Sequence, residues 1–129
     1  MIVVDKLWGR EEWLVNDTYC VKRMTLREGY QSSLHYHNIK DETFYVTDGV
    51  VMLNVNGIMH RLEAGDHYRI KPGSLHRFHS TGGDAVFIEC STHHDDEDVV
   101  IVVVIVVIID GGVEFYIYCY CCCCGCCGC

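Results

Sequence analysis

Apolar and polar residues alternate in short runs through residues 17–91, and a turn signal follows nearly every run. "TYCVKRMTL" leads into "REG", "TFYV" into "TDG" and "VMLNV" into "NG"; farther on, "HYRI" is closed by "KPGS" and "DAVFIECS" is opened by "TGG". A two-residue period turns one face of each run to a core and the other to water. Short strands separated by turns in this way predict an antiparallel sandwich or barrel. Asp48-Gly49 and Asn56-Gly57 are the best hairpin corners, because Asn, Asp and Gly enter positive φ at little cost. No segment carries a long helical period, although a short turn of helix is expected over residues 8–13.

The pattern stops after Asp98, where "VVIVVVIVVIID" and then "CYCCCCGCCGC" replace patterned strands with low complexity. We expect one domain, residues 1–98, and a Val/Ile- and Cys-rich tail, residues 99–129, that lies outside the core. The run Val99–Ile109 is about half of the ~20 residues that span a bilayer as a helix, and β-branched residues favour strands, so no membrane anchor is expected. The valine codon GTT and the cysteine codon TGT are two frames of one triplet repeat, so the tail reads as repeat expansion, frameshift or assembly error. Its functional alternative is a thiolate cluster over residues 119–129 for a soft metal such as Cu(I) or Zn.

Composition narrows the partners. A chain of 129 residues suits one hydrophobic core. A formal charge of -8, from 18 acidic against 10 basic residues, argues against nucleic acid, which needs a basic face. Only Cys20 and Cys90 precede the tail, and "MIVVDKLWGREEWLVND" lacks the order of a secretory signal. The expected location is the cytoplasm.

Candidate chemistry gathers in "GYQSSLHYHNIKDETFYVTDG". On a strand His35 and His37 project from one face, while Leu34 and Tyr36 point the other way. Glu42, returned by the next turn, could add a carboxylate and His76 a third imidazole. Three neutral imidazoles and a carboxylate suit one divalent transition metal, Zn, Mn, Co, Ni or Fe. A His-x-His pair by itself is better explained by a solvated strand face. The flanking spacing changes that balance: Gly29-x5-His35-x-His37-x4-Glu42-x6-Gly49 resembles the first cupin motif. Gly65-x5-Lys71-Pro72-Gly73-x2-His76-x3-Ser80 resembles the second, with Lys71 where proline is usual and Ser80 where asparagine is usual. The resemblance implies an all-β, single-domain jelly-roll barrel with His35, His37, Glu42 and His76 as metal ligands.

Within that family the chain resembles small mannose-6-phosphate isomerase-type cupins, also found as the C-terminal domain of bifunctional mannose-1-phosphate guanylyltransferases. "KLWGREEWLVND", "LHYHNIKDETFYVTDG", "LEAGDHYRIKPGSLHRF" and "IECSTHHDDEDVV" carry the likeness over roughly residues 7–98. Two departures are visible: Leu7 stands where a proline usually precedes Trp-Gly, and the valine run replaces a charged C-terminal segment. The implied substrates are mannose 6-phosphate and fructose 6-phosphate. Moving a proton between C1 and C2 needs a base and stabilisation of developing oxygen charge.

Glu89, His79 and Lys71 are the candidate bases, although His79 has the opposite strand parity to His76. Lys71 and Arg77 are candidates for holding a phosphate. His60, His67, His93 and His94 read as surface residues. Trp8 and Trp13 read as packing residues that cover the barrel or a partner, so a homodimer is a candidate assembly. A cupin dioxygenase and a noncatalytic, metal-dependent sugar-binding module are the alternatives.

Overall fold

The computed structural model describes residues 1–121, with side chains through Cys119. The strands are β1 Ile2–Lys6, β2 Gly9–Asn16, β3 Tyr19–Leu26, β4 His35–His37, β5 Glu42–Asp48 and β6 Val50–Val55. They continue with β7 Ile58–Glu63, β8 His67–Ile70, β9 His76–Ser80, β10 Ala85–Thr92, β11 Val99–Ile109 and β12 Gly112–Cys121. A single 3-10 turn, Asp96–Asp98, precedes β11. Two antiparallel sheets follow, ordered β1-β2-β3-β10-β5-β8 and β12-β11-β4-β9-β6-β7. The protein is all-β and antiparallel, as the alternating pattern predicts, and a jelly roll, as the motif resemblance implies.

Both hairpin corners form where expected, with Gly49 at φ 70, Asn56 at φ 50 and Gly57 at φ 83. The expected helical turn over residues 8–13 does not form. Gly9–Asn16 is a strand whose two edges pair with β1 and β3, and this pairing outweighs the weak helical spacing of Trp8 and Trp13. Gly9 is required there: at φ 149, a Cβ would lie 1.8 Å from the Thr25 carbonyl oxygen.

Inward positions change character along the strands. On β3, Cys20 and Lys22 are followed by Met24 and Leu26; on β5, Glu42 by Phe44 and Val46; on β9, His76 by Phe78; on β10, Glu89 follows Ala85 and Phe87. One end of the barrel is therefore filled by an apolar cluster that includes Trp8, Phe44, Leu53, Phe78 and Phe87. Trp8 meets Phe78 edge-on at 5.2 Å between ring centroids. The polar inward residues gather toward the other end.

The valine run enters the barrel. Residues 99–101 pair with β4, Val99 opposite His37, Val100 opposite Tyr36 and Ile101 opposite His35, and Val100 is buried. The ladder thus runs three residues past the division at Asp98. Beyond Val102 the ladder partner is β12 alone, and Val103, Val104, Ile105, Val106, Ile108 and Ile109 are exposed. Cys119 is an exposed free thiol; residues 122–129, and with them most of the expected thiolate cluster, lie outside the described residues. No helix among the described residues is long and apolar enough to cross a membrane.

Candidate metal centre

β4 is only three residues long, held between β11 and β9, and it carries His35 and His37. His35 lies directly across the ladder from His76, their ring centroids 4.3 Å apart. One ring nitrogen from each of His35, His37 and His76 falls within 4.8 Å of the others. Glu42 opens β5 beneath them, with Oε1 2.9 Å from His76 Nε2 and 3.7 Å from His37 Nε2. The structure brings together all four residues that the motif spacing selects.

Hydrogen bonding decides which nitrogens face inward. His35 Nδ1 lies 2.8 Å from the Ser33 carbonyl and His76 Nδ1 lies 2.8 Å from the Ser74 carbonyl. A carbonyl only accepts, so each Nδ1 carries a proton and each Nε2 is the nitrogen turned toward the interior. Burial pushes the His35 imidazole down to about 3 and the His37 imidazole down to about 2, so both are neutral. Glu42 Oε1, His76 Nε2 and His37 Nδ1 are buried without a hydrogen-bond partner, and Glu42 Oε2 faces the Lys40 ammonium at 3.1 Å. Inward imidazole nitrogens beside a buried carboxylate with one oxygen left to them suit a cation between them, and fixed outward nitrogens are how ligating histidines are held. The donor set fits one divalent transition metal.

A second group adjoins this set. Lys40, 3% exposed, places Nζ 3.1 Å from Glu42 Oε2, 3.3 Å from Glu89 Oε2 and 3.0 Å from His94 Nδ1. One ammonium therefore serves two buried carboxylates. Burial opposes the Lys40 charge, but Glu89 and Glu42 outweigh it and raise the pKa. Although burial works against ionisation of Glu42, Lys40 and the histidines hold its carboxyl well below the usual range. Glu89 is left in a weaker position: burial first, and then the neighbouring Glu42 charge, push it up to about 7 despite the Lys40 contact. Lys22, 1% exposed, adds a further buried ammonium, 3.3 Å from Glu11 and 4.1 Å from the centre of the Trp13 ring.

Glu89 faces inward, as a base would need to. Lys71 is exposed, and His79 and Arg77 lie on the outward parity of β9. The Arg77 Nε donates to the Ser32 carbonyl, and Arg77 lines an outer cleft with Leu34 and the valine run. These three are not brought to the four-residue set. His60, His67 and His93 are exposed or half-buried, whereas His94 is buried, which corrects the surface position expected for it. Its imidazole is held by Lys40 on one side and by Asp96 on the other, at 2.9 Å.

Sequence reasoning missed Lys40, Lys22 and His94 as members of this end of the barrel. Only Lys22 left a signal, since it shares strand parity with the apolar Met24 and Leu26.

The fold recurs among solved structures. KdgF from Halomonas sp. superposes with a TM-score of 0.68 at 17% identity, over 74% of this chain and 89% of that one. The capsular polysaccharide assembling protein CapF from Staphylococcus aureus gives 0.67 at 19% identity, over 76% of this chain and 33% of that one. The plu4264 protein from Photorhabdus luminescens gives 0.62 at 21% identity, over 75% of this chain and 83% of that one. At such identities the likeness shows the fold. No curated protein sequence matches the chain. Residues 22–105, from the lysine on β3 to the start of the projecting hairpin, match the family described as the cupin domain, and the chain therefore belongs to the cupin family.

Proposed function

We propose that the protein is a metal-dependent aldose–ketose isomerase of the sugar-phosphate type, with mannose 6-phosphate and fructose 6-phosphate as the substrate pair. The observation that carries this reading is the unequal pair of buried carboxylates beside three converging imidazoles. Glu42 is held ionised, as a ligand must be, while Glu89 is pushed up to about 7, where a carboxyl both takes and returns a proton near neutral pH. A divalent cation held by His35, His37, Glu42 and His76 would supply Lewis-acid stabilisation of negative charge on a substrate oxygen.

The chain's own residues account for the proton. Glu89 takes it from one carbon of the hydroxycarbonyl pair and returns it to the other. Lys40 holds the Glu89 carboxylate in place during both transfers. The apolar cluster below closes that end of the barrel to water. Likeness to a capsular polysaccharide assembling protein is in keeping with a carbohydrate substrate. Because Lys71 and Arg77 stand outside the set, the choice of a phosphorylated sugar rests on the sequence resemblance, and the reacting end of the sugar rests on the geometry.

Metal-loaded protein is incubated with mannose 6-phosphate in D2O, and deuterium at C2 is read by NMR. Wild type incorporates deuterium, and Glu89→Gln keeps its metal while exchange falls by about 10²–10⁴-fold, the range for loss of a general base. Wild type that holds metal and sugar without exchange would replace the isomerase with the sugar-binding module.

A further inference from the structure

Four residues, 38–41, separate the ligands His37 and Glu42, and a loop of that length has no reason of its own to hold both in register. In this protein it is held from outside by the segment between β10 and β11. One Asp98 oxygen accepts from the backbone N–H of Asn38 at 2.9 Å and of Ile39 at 3.0 Å. The other accepts from Ile39 at 3.2 Å and from Lys40 at 2.9 Å. Three successive amides thus converge on one carboxylate, the geometry of a backbone nest.

The same segment grips the side chain as well as the backbone. His94 Nε2 donates to Asp96, which leaves Nδ1 to accept from Lys40 Nζ, the ammonium shared by Glu42 and Glu89. His94 is itself fixed by a two-way bond with Asn16 on β2, its N–H donating to Asn16 Oδ1 at 2.8 Å and its carbonyl accepting from Asn16 Nδ2 at 3.0 Å. Thr92 and Asp41 close the far end of the loop by two further bonds.

We propose that Asp98 and His94 are positioning residues of the metal centre, Asp98 by holding the loop that joins two ligands and His94 by aiming Lys40 between Glu42 and Glu89. Neither residue is a ligand. The proposal rests on the metal reading of His35, His37, Glu42 and His76 and is independent of the isomerase reading.

The probe is Co²⁺, titrated into metal-free protein and followed by its visible absorption, which reports the ligand geometry as well as the affinity. Asp98→Ala weakens Co²⁺ binding by about 10–100-fold, the range for loss of an outer partner of a metal ligand, and alters the shape of the band. Asp98→Asn, which keeps one acceptor oxygen, falls between Asp98→Ala and wild type. His94→Phe retains a ring against Trp13, removes the Lys40 acceptor, and also alters the band. Leu62→Ala on β7, a strand with no member of the centre, lowers the melting temperature and leaves the band as in wild type. Should Asp98→Ala fail to fold, Asp98→Asn and His94→Phe decide the matter. Wild-type affinity and spectrum in the folded Asp98 and His94 variants would overturn the positioning role. Absence of Co²⁺ binding in wild type would overturn the metal reading beneath it.

Discussion

Lys22 sits where the alternating pattern of β3 already placed it, on the inward face between Cys20 and Met24. A lysine in a core register is expensive unless paired, and the pairing with Glu11 and the Trp13 ring comes from β2, a strand that sequence spacing had suggested as a turn of helix. The four motif residues were legible because ligation demands particular residue types at particular spacings. Lys40, His94 and Asp98 were not, because a charge-assisted bond to a backbone amide or a shared ammonium leaves no spacing rule in the chain. Glycines are a sharper test at this scale. Gly49 lies at φ 70 with the Asp84 carbonyl oxygen 2.4 Å from where a Cβ would sit, whereas Gly57, at φ 83, has open space around it. Gly49→Ala should cost more than ~2 kcal/mol, by backbone collision added to dihedral strain. Gly57→Ala should cost about 1 kcal/mol from the dihedral alone. Urea unfolding midpoints compare the two, and equal shifts would contradict the account.

At the scale of elements the informative strand is β11. Every member of the apolar cluster lies between Trp8 and Phe87, so we propose that residues 1–98 suffice for the core. The proposed metal ligands ask for more. Residues 99–101 pair with β4, and the Val102 N–H donates to the Leu34 carbonyl at 2.8 Å. A chain ending at Val102 should therefore melt as a cooperative unit and bind Co²⁺ like the full chain. A chain ending at Asp98 should still fold but bind at least ~10-fold more weakly, because His35 and His37 then stand on an unpaired edge. Circular dichroism and Co²⁺ titration of the two truncated chains separate these outcomes. The boundary was hard to read because composition changes at Asp98 while hydrogen bonding does not. The remainder of β11 and β12 exposes Val104, Ile108, Val113, Phe115 and Ile117, so the full chain should also self-associate more than the chain ending at Val102.

At the scale of the whole molecule, the buried atoms of Glu42, His37 and His76 that lack hydrogen-bond partners carry a desolvation cost that a bound cation would relieve. Any ligand that binds only the folded state stabilises it by mass action, about 2.7 kcal/mol at a hundred times the dissociation constant. For a domain of this size that is a rise in melting temperature on the order of 10 °C. Chelation should reverse the rise, and His76→Ala, which removes a ligand without touching the β4–β11 ladder, should abolish the response while the protein still folds. A scan of melting temperature against added metal, in both proteins, is the measurement.

The ladder that joins β11 to β4 is made of amides and carbonyls, which are identical whatever side chain they carry. A strand recruited by its backbone can be spelled in an alphabet of two letters and still serve. Its register is counted from the Asp98 end, where the carboxylate is pinned to the loop, so residues gained or lost beyond Val102 lengthen or shorten the free hairpin without moving a ligand. Repeat residues added at the exposed end of this hairpin would thus fall in solvent rather than in the core.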